Sequence, residues 1–159
     1  MTLERPWTVI TAGPVVRRPD PIISPMDGSR IEQRLRGVLQ SATGVVAAYL
    51  FGSVARGEAT ERSDVDVAVL LSEDPPPTLE GLRLDLEGDL ERAVGLSVQL
   101  VVLNTAPPDL VHRVLRDGKL LLDRDRSARI RFEVRARNEF FDIEPILELY
   151  RSAGRTVRR

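Results

Sequence analysis

Residues 49–70 read YLFGSVARGEATERSDVDVAVL, and the pattern within them decides the fold. An apolar run, Val45–Phe51, stops at Gly52 and Ser53; ten residues later Asp64 and Asp66 head a second apolar run, Val65–Leu71. Both runs have the length and composition of buried strands. Side chains on a strand alternate faces, so Asp64 and Asp66 point one way while Val65 and Val67 point the other. Two carboxylates about 6.6 Å apart at Cα can converge on one Mg²⁺ or share a pair of metals.

The Gly52-Ser53 pair has a different task. Glycine at a strand end lets the backbone turn tightly, and the helical start behind it offers N–H groups and the Ser53 hydroxyl to phosphate oxygens. A nucleoside triphosphate would lie between these donors and the metals. The pattern is not a Walker A loop, which needs Gly-Lys-Ser/Thr, nor a dinucleotide fingerprint, which needs three spaced glycines.

Working outward, residues 29–41 place Ile31, Leu35, Val38 and Leu39 at helical spacing, with Ser29 as N-cap and Glu32 completing a capping box. Beyond the second strand, Pro75, Pro76 and Pro77 end the unit, and Leu79, Leu82, Leu86, Leu90 and Val94 recur as a helix face. Residues 97–103 read as a third strand. Pro107 opens a helix closed by Gly118, and residues 119–122 read as a short edge strand. After Asp123 the spacing predicts an Arg- and Phe-rich helix over about residues 127–141 and another over 145–152, because proline suits a first helical turn and not an interior. The expected class is α/β (α+β): a small mixed sheet of about four strands with helices packed on it. Three regions follow: a Pro-rich N-terminal extension over 1–25 outside the core, a core over 26–123, and an Arg-rich C-terminal helical arm over 124–159. Met26 is an alternative start codon.

Composition narrows the function. A chain of 159 residues, 42% hydrophobic and 30% charged, suits one globular domain plus an arm. No run approaches the roughly 18 apolar residues of a membrane helix, and the start lacks a signal-peptide pattern, so a cytoplasmic, membrane-free protein is the expectation. The absence of cysteine and the single His112 exclude disulfides, thiolate zinc, a Cys nucleophile and a His-based metal cage. Residues 58–91 hold 11 acids against two arginines, while residues 124–159 hold ten arginines against six acids. The acidic middle suits divalent cations and the basic end an anionic partner. Aromatic residues at 4% leave few stacking platforms, so direct nucleic-acid binding is not expected.

At Gly52, Ser53, Ala55-Arg56-Gly57, Ser63, Asp64 and Asp66 the sequence resembles the minimal nucleotidyltransferases of the polymerase-beta-like superfamily. Val102-Leu103-Asn104, Ala106-Pro107-Pro108, residues 114–118 and Asp123-Arg124-Asp125 resemble its antitoxin branch, and the likeness runs from about Ser29 to Tyr150. The resemblance implies the polymerase-beta-like nucleotidyltransferase fold, ATP and Mg²⁺ as nucleotide and cofactor, a HEPN ribonuclease toxin as partner, and transfer of AMP to a toxin tyrosine. It assigns Asp64 and Asp66 to metal and catalysis and Gly52 and Ser53 to phosphate.

There is one departure. The superfamily brings a third carboxylate from the next strand, and the matching position is Gln99. Glutamine offers a carbonyl oxygen but cannot take a proton, and loss of a general base costs about 10²- to 10⁴-fold in rate. Two readings stand: a slow protein adenylyltransferase, and a degenerate fold that neutralises its toxin by contact. Transfer to a small molecule such as an aminoglycoside ranks behind both, because the chain lacks a further domain to bury the acceptor. His112 reads as a partly exposed helix residue, and Arg56 as a phosphate contact or a loop cap. The arm's arginines, Arg124 to Arg137, read as a solvated helix or a partner-docking face.

Overall fold

The computed structural model describes residues 28–60, 62–72 and 79–156; the expectations for residues 1–25, Met26 and Pro75 to Pro77 lie outside them. The chain runs α1 (Gly28–Ser41), β1 (Val45–Phe51), α2 (Gly52–Arg56), β2 (Val65–Leu71), α3 (Leu79–Val94), β3 (Val98–Val102), α4 (Pro108–Asp117), β4 (Lys119–Asp123) and α5 (Arg126–Thr156). The sheet order is β3-β2-β1-β4. β1 is antiparallel to both β2 and β4, and β2 is parallel to β3, which gives the mixed four-stranded sheet that the sequence implies.

β1 is a continuous apolar run because helices cover both faces of the sheet. On one face Ala48, Leu50, Val65, Val67, Leu100 and Val102 pack against Ile31, Leu35 and Leu39 of α1 and Leu90 and Val94 of α3. On the other, Tyr49, Ala68, Leu70 and Leu103 pack against Val111 and Val114 of α4 and Phe132 and Ala136 of α5. Each fully buried Leu contributes about 1.5–3 kcal/mol from apolar area alone. Truncating Leu35 or Leu90 to Ala would cost about 2–5 kcal/mol, since a cavity is added to the lost transfer energy.

Two details depart from the sequence expectations. Helix α1 begins at Gly28, so Ser29 lies inside its first turn and is not the N-cap. Glu32 turns to Lys119 Nζ, 3.0 Å away, and ties α1 to the edge strand β4.

The C-terminal region is one helix of 31 residues with Pro145 inside it, not two helices. A proline in a helix loses its own N–H bond and crowds the carbonyl four residues earlier. Pro145 sits at an exposed position, where the turns on either side carry the helix through. The first half of α5 packs on the sheet, for Phe132, Ala136 and Phe140 recur every four residues and are buried.

Two of its neighbouring arginines are structural. Arg124 donates to the carbonyls of Ala42 and Val45, both at 2.8 Å, and pins the α1–β1 connection. Arg129 grips Asp123 with two bonds of 3.0 and 2.9 Å and Glu133 with one of 2.7 Å. Glu133 in turn accepts the Tyr49 hydroxyl at 2.9 Å. Burial, reinforced by Glu133, pushes the Tyr49 phenol well above its ordinary pKa, so this bond between β1 and α5 holds throughout the physiological range.

Candidate active site

Gly52 ends β1 with φ 72°, in the left-handed region that favours glycine, and so starts α2 at a sharp angle to the strand. A Cβ at this position would overlap Asp66 Oδ2 and stand 2.9 Å from the Asp66 carboxyl carbon. Glycine is therefore required twice, by the backbone angle and by the carboxylate beside it. Behind the turn, Gly57 N–H donates to Val54 at 3.2 Å and Glu58 N–H to Ser53 at 2.9 Å, which closes the short helix.

The loop that returns the chain to β2 is held by the Thr60 N–H, which donates to Ser63 Oγ at 2.9 Å, and by Ser63 N–H, which donates to Thr60 at 3.0 Å. Val65 N–H then donates to Ser97 O at 2.8 Å, fixing the start of β2 against β3. Val65 and Val67 are fully buried on the α1 and α3 side, so the alternation expected around Asp66 holds.

Register places the polar residues in a row. Phe51 pairs with Asp66 across the antiparallel β1–β2 ladder, and Asp66 pairs with Gln99 across the parallel β2–β3 ladder. All three lie on the sheet face that α4 and α5 cover, at the end where the helices leave it open. The result is a cavity of about 550 Å³, within the usual range for small-ligand sites. Its lining brings together Gly52, Ser53, Arg56, Asp66 and Gln99, and adds Phe51 and Val101 from the sheet and Leu110, Arg113 and Asp117 from α4.

Asp66 is half-buried, and its carboxyl is pushed above the ordinary Asp range first by burial, then by the negative charge of Asp64, against the pull of Arg56. Asp64 is exposed at the rim and does not line the cavity, yet it is near enough to act on Asp66. A half-buried carboxylate crowded by a second one and facing open space is an arrangement that a cation would relieve. The donors here are all oxygen: two carboxylates, with the Gln99 amide alongside, a set that suits a hard cation such as Mg²⁺. Among the described residues there is no group of three or more His, Cys, Asp or Glu side chains placed to hold a metal ion.

The cations of the cavity come from α2 and α4. Arg56 Nε donates to Glu58 at 2.8 Å and also feels the negative charge of Asp117 and Asp66. It lines the cavity while its Nε is tied to Glu58 in the loop. Asp117 is gripped by Arg116 with bonds of 2.8 and 2.7 Å, which holds its carboxyl below the ordinary range. Arg113 lies 3.8 Å from Asp109, a long and exposed pair.

Leu110, Arg113 and Asp117 fall at i, i+3 and i+7 on one face of α4, beside the buried Val111 and Val114. That spacing was visible in the sequence, but not which strand ends the face would cover. His112 lies outside the cavity lining and stacks on Phe140, ring centroids 3.8 Å apart and 10° from parallel, as a half-buried packing residue.

Comparison with known proteins bears on this geometry. A family model described as polymerase beta nucleotidyltransferase matches residues 33–127. The chain is 39% identical over 79 residues to a protein adenylyltransferase MntA of Thermococcus cleftensis, covering 50% of this chain and 77% of that protein. It is 38% identical over 74 residues to a protein adenylyltransferase MntA of Shewanella oneidensis, covering 46% of this chain and 50% of that protein. Among solved structures, a toxin-antitoxin with AMP-PNP superposes with a TM-score of 0.61 at 25% identity, over 74% of this chain and 95% of that one.

Proposed function

The chain belongs to the polymerase beta nucleotidyltransferase family, and from that premise we propose that it is a Mg²⁺-dependent protein adenylyltransferase antitoxin, which transfers AMP from ATP to a tyrosine hydroxyl of a HEPN-type ribonuclease toxin. The observation that carries this reading is the packing of the Gly52 turn directly against Asp66, inside a cavity that also holds Ser53, Arg56 and Arg113. Donors for anionic oxygens thus stand directly beside a carboxylate that a cation would relieve. The relatives named protein adenylyltransferase and the likeness to a toxin-antitoxin with AMP-PNP support the nucleotide and the kind of acceptor.

In this reading Asp64 and Asp66 hold the cation, which when bound offsets the negative charge of the triphosphate. The Ser53 hydroxyl donates to phosphate oxygens, and Arg56 and Arg113 balance their charge. Phe51, Val101 and Leu110 provide an apolar wall for a base or an aromatic acceptor. The acceptor oxygen forms a bond to the α-phosphorus as the bond to the pyrophosphate oxygen breaks. Its proton leaves to solvent, because Gln99, beside Asp66 in the β2–β3 register, has no basic oxygen to receive it. The same glutamine favours a second reading, neutralisation of the toxin by binding alone.

Incubation of the purified chain and toxin with Mg²⁺ and ATP labelled at the α-phosphate separates the two. Label on the toxin is the expected result. A stable complex that forms without label would replace transfer with contact.

A further inference from the structure

Helix α5 presents a second face that no part of the described chain covers. Its core face is Phe132, Ala136 and Phe140. Val134 lies two residues from both Phe132 and Ala136, so at 100° per residue it points directly away from the sheet. Ile130, Val134, Arg137, Phe141, Pro145 and Glu148 follow one another at spacings of four, three, four, four and three residues along this outer face. That is the stripe of a helix that packs against another helix. Ile130 is 42% exposed, Val134 53% and Phe141 59%, which is unusual for three large apolar groups in one line.

Charge along the helix says what fits there. Residues 126–137 carry five arginines and one glutamate, while residues 138–150 carry four carboxylates and no Lys or Arg. One half is basic and the next half acidic, so the helix is complementary to itself when turned end for end. We propose that the outer face of α5 is the interface of a two-fold symmetric homodimer, in which α5 pairs antiparallel with α5 of a second copy.

A two-fold axis between residues 137 and 138 makes the register specific. Val134 then meets Phe141 of the partner subunit, and Ile130 meets Pro145 of the partner subunit. Each pair occurs twice by symmetry, as an isologous interface requires. The paired stretch, residues 127–148, is about 33 Å long. A single helix pair of this length with rim charges makes a modest interface, so the dimer is expected to depend on concentration and to weaken with salt.

Sedimentation of the full chain over a range of concentrations tests the proposal. A monomer–dimer equilibrium is expected, and Val134→Glu with Phe141→Glu should give folded monomer at every concentration. A wild type that is monomeric at all concentrations overturns the proposal and leaves the stripe to a different protein. A dimer indifferent to Val134→Glu with Phe141→Glu overturns it equally.

Discussion

The carboxylate of Asp66 fills the space that a side chain at Gly52 would need. The end of β1 and the head of β2 are cross-strand neighbours, with Phe51 opposite Asp66, so the turn that leaves β1 passes over the acid that opens β2. Two motif fragments ten residues apart in the chain thereby become one surface. Gly52→Ala should cost about 1–3 kcal/mol in stability from the positive φ alone. It should also turn the Asp66 carboxylate away and lower Mg²⁺-ATP affinity about tenfold or more. Calorimetric titration and thermal melting of the variant check both parts.

The raised pKa of Asp66 has a defined sign in stability. In the folded chain its ionisation is harder than in the unfolded chain, where Asp titrates near about 3.9. The penalty is absent below that value and is established as pH rises through the higher folded pKa. Asp66→Asn should therefore melt above the wild type at pH 7 in the absence of divalent cations, with the gap closing near pH 3. A variant that melts lower at pH 7 would mean that the ionised carboxylate stabilises the fold.

Asp123 behaves in the opposite sense. Arg129 holds its carboxyl below the ordinary range, so the contribution of the pair is complete above the unfolded pKa and is lost as pH falls through the folded one. Asp123→Asn should lower the melting temperature at neutral pH, and the difference should vanish under strongly acidic conditions. A pH-independent difference would assign the effect to packing.

Gln99 stands in register beside Asp66, the place from which a third carboxylate would face the cavity. Gln99→Asp should raise the single-turnover rate of transfer by a factor toward the range of about 10²–10⁴. A brisk wild type and a slower variant would show that proton removal never depended on this position.

Much of this architecture was legible in the chain. The runs Val45–Phe51 and Val65–Leu71 are apolar at every position a doubly covered strand requires, and the Gly-Ser and Asp-x-Asp fragments fall at the strand ends that adjoin in the sheet. What escaped was decided by long-range packing. Leu110, Arg113 and Asp117 reach the cavity only because α4 crosses the end of the sheet, which spacing within α4 does not reveal. Pro145 reads as a first-turn proline, because an interior one loses a hydrogen bond, until the turns around it are seen to continue. Arg124 and Arg129 look like members of a solvated arginine cluster, but Arg124 bonds the carbonyls of Ala42 and Val45, and Arg129 holds Asp123 of β4 and Glu133 of its own helix. Ser29 offers a cap at a position where the helix has already begun.

The cavity beneath the Gly52 turn is tested most directly by calorimetric titration of ATP into the wild type and into the variant carrying Asp64→Asn and Asp66→Asn, each with and without Mg²⁺. ATP should bind the wild type far more tightly with Mg²⁺ than without it, and the variant, folded and melting at or above the wild-type temperature, should lose that Mg²⁺ dependence. Equal Mg²⁺-ATP affinity in the wild type and a well-folded double variant would contradict the assignment of Asp64 and Asp66 to a metal–nucleotide site.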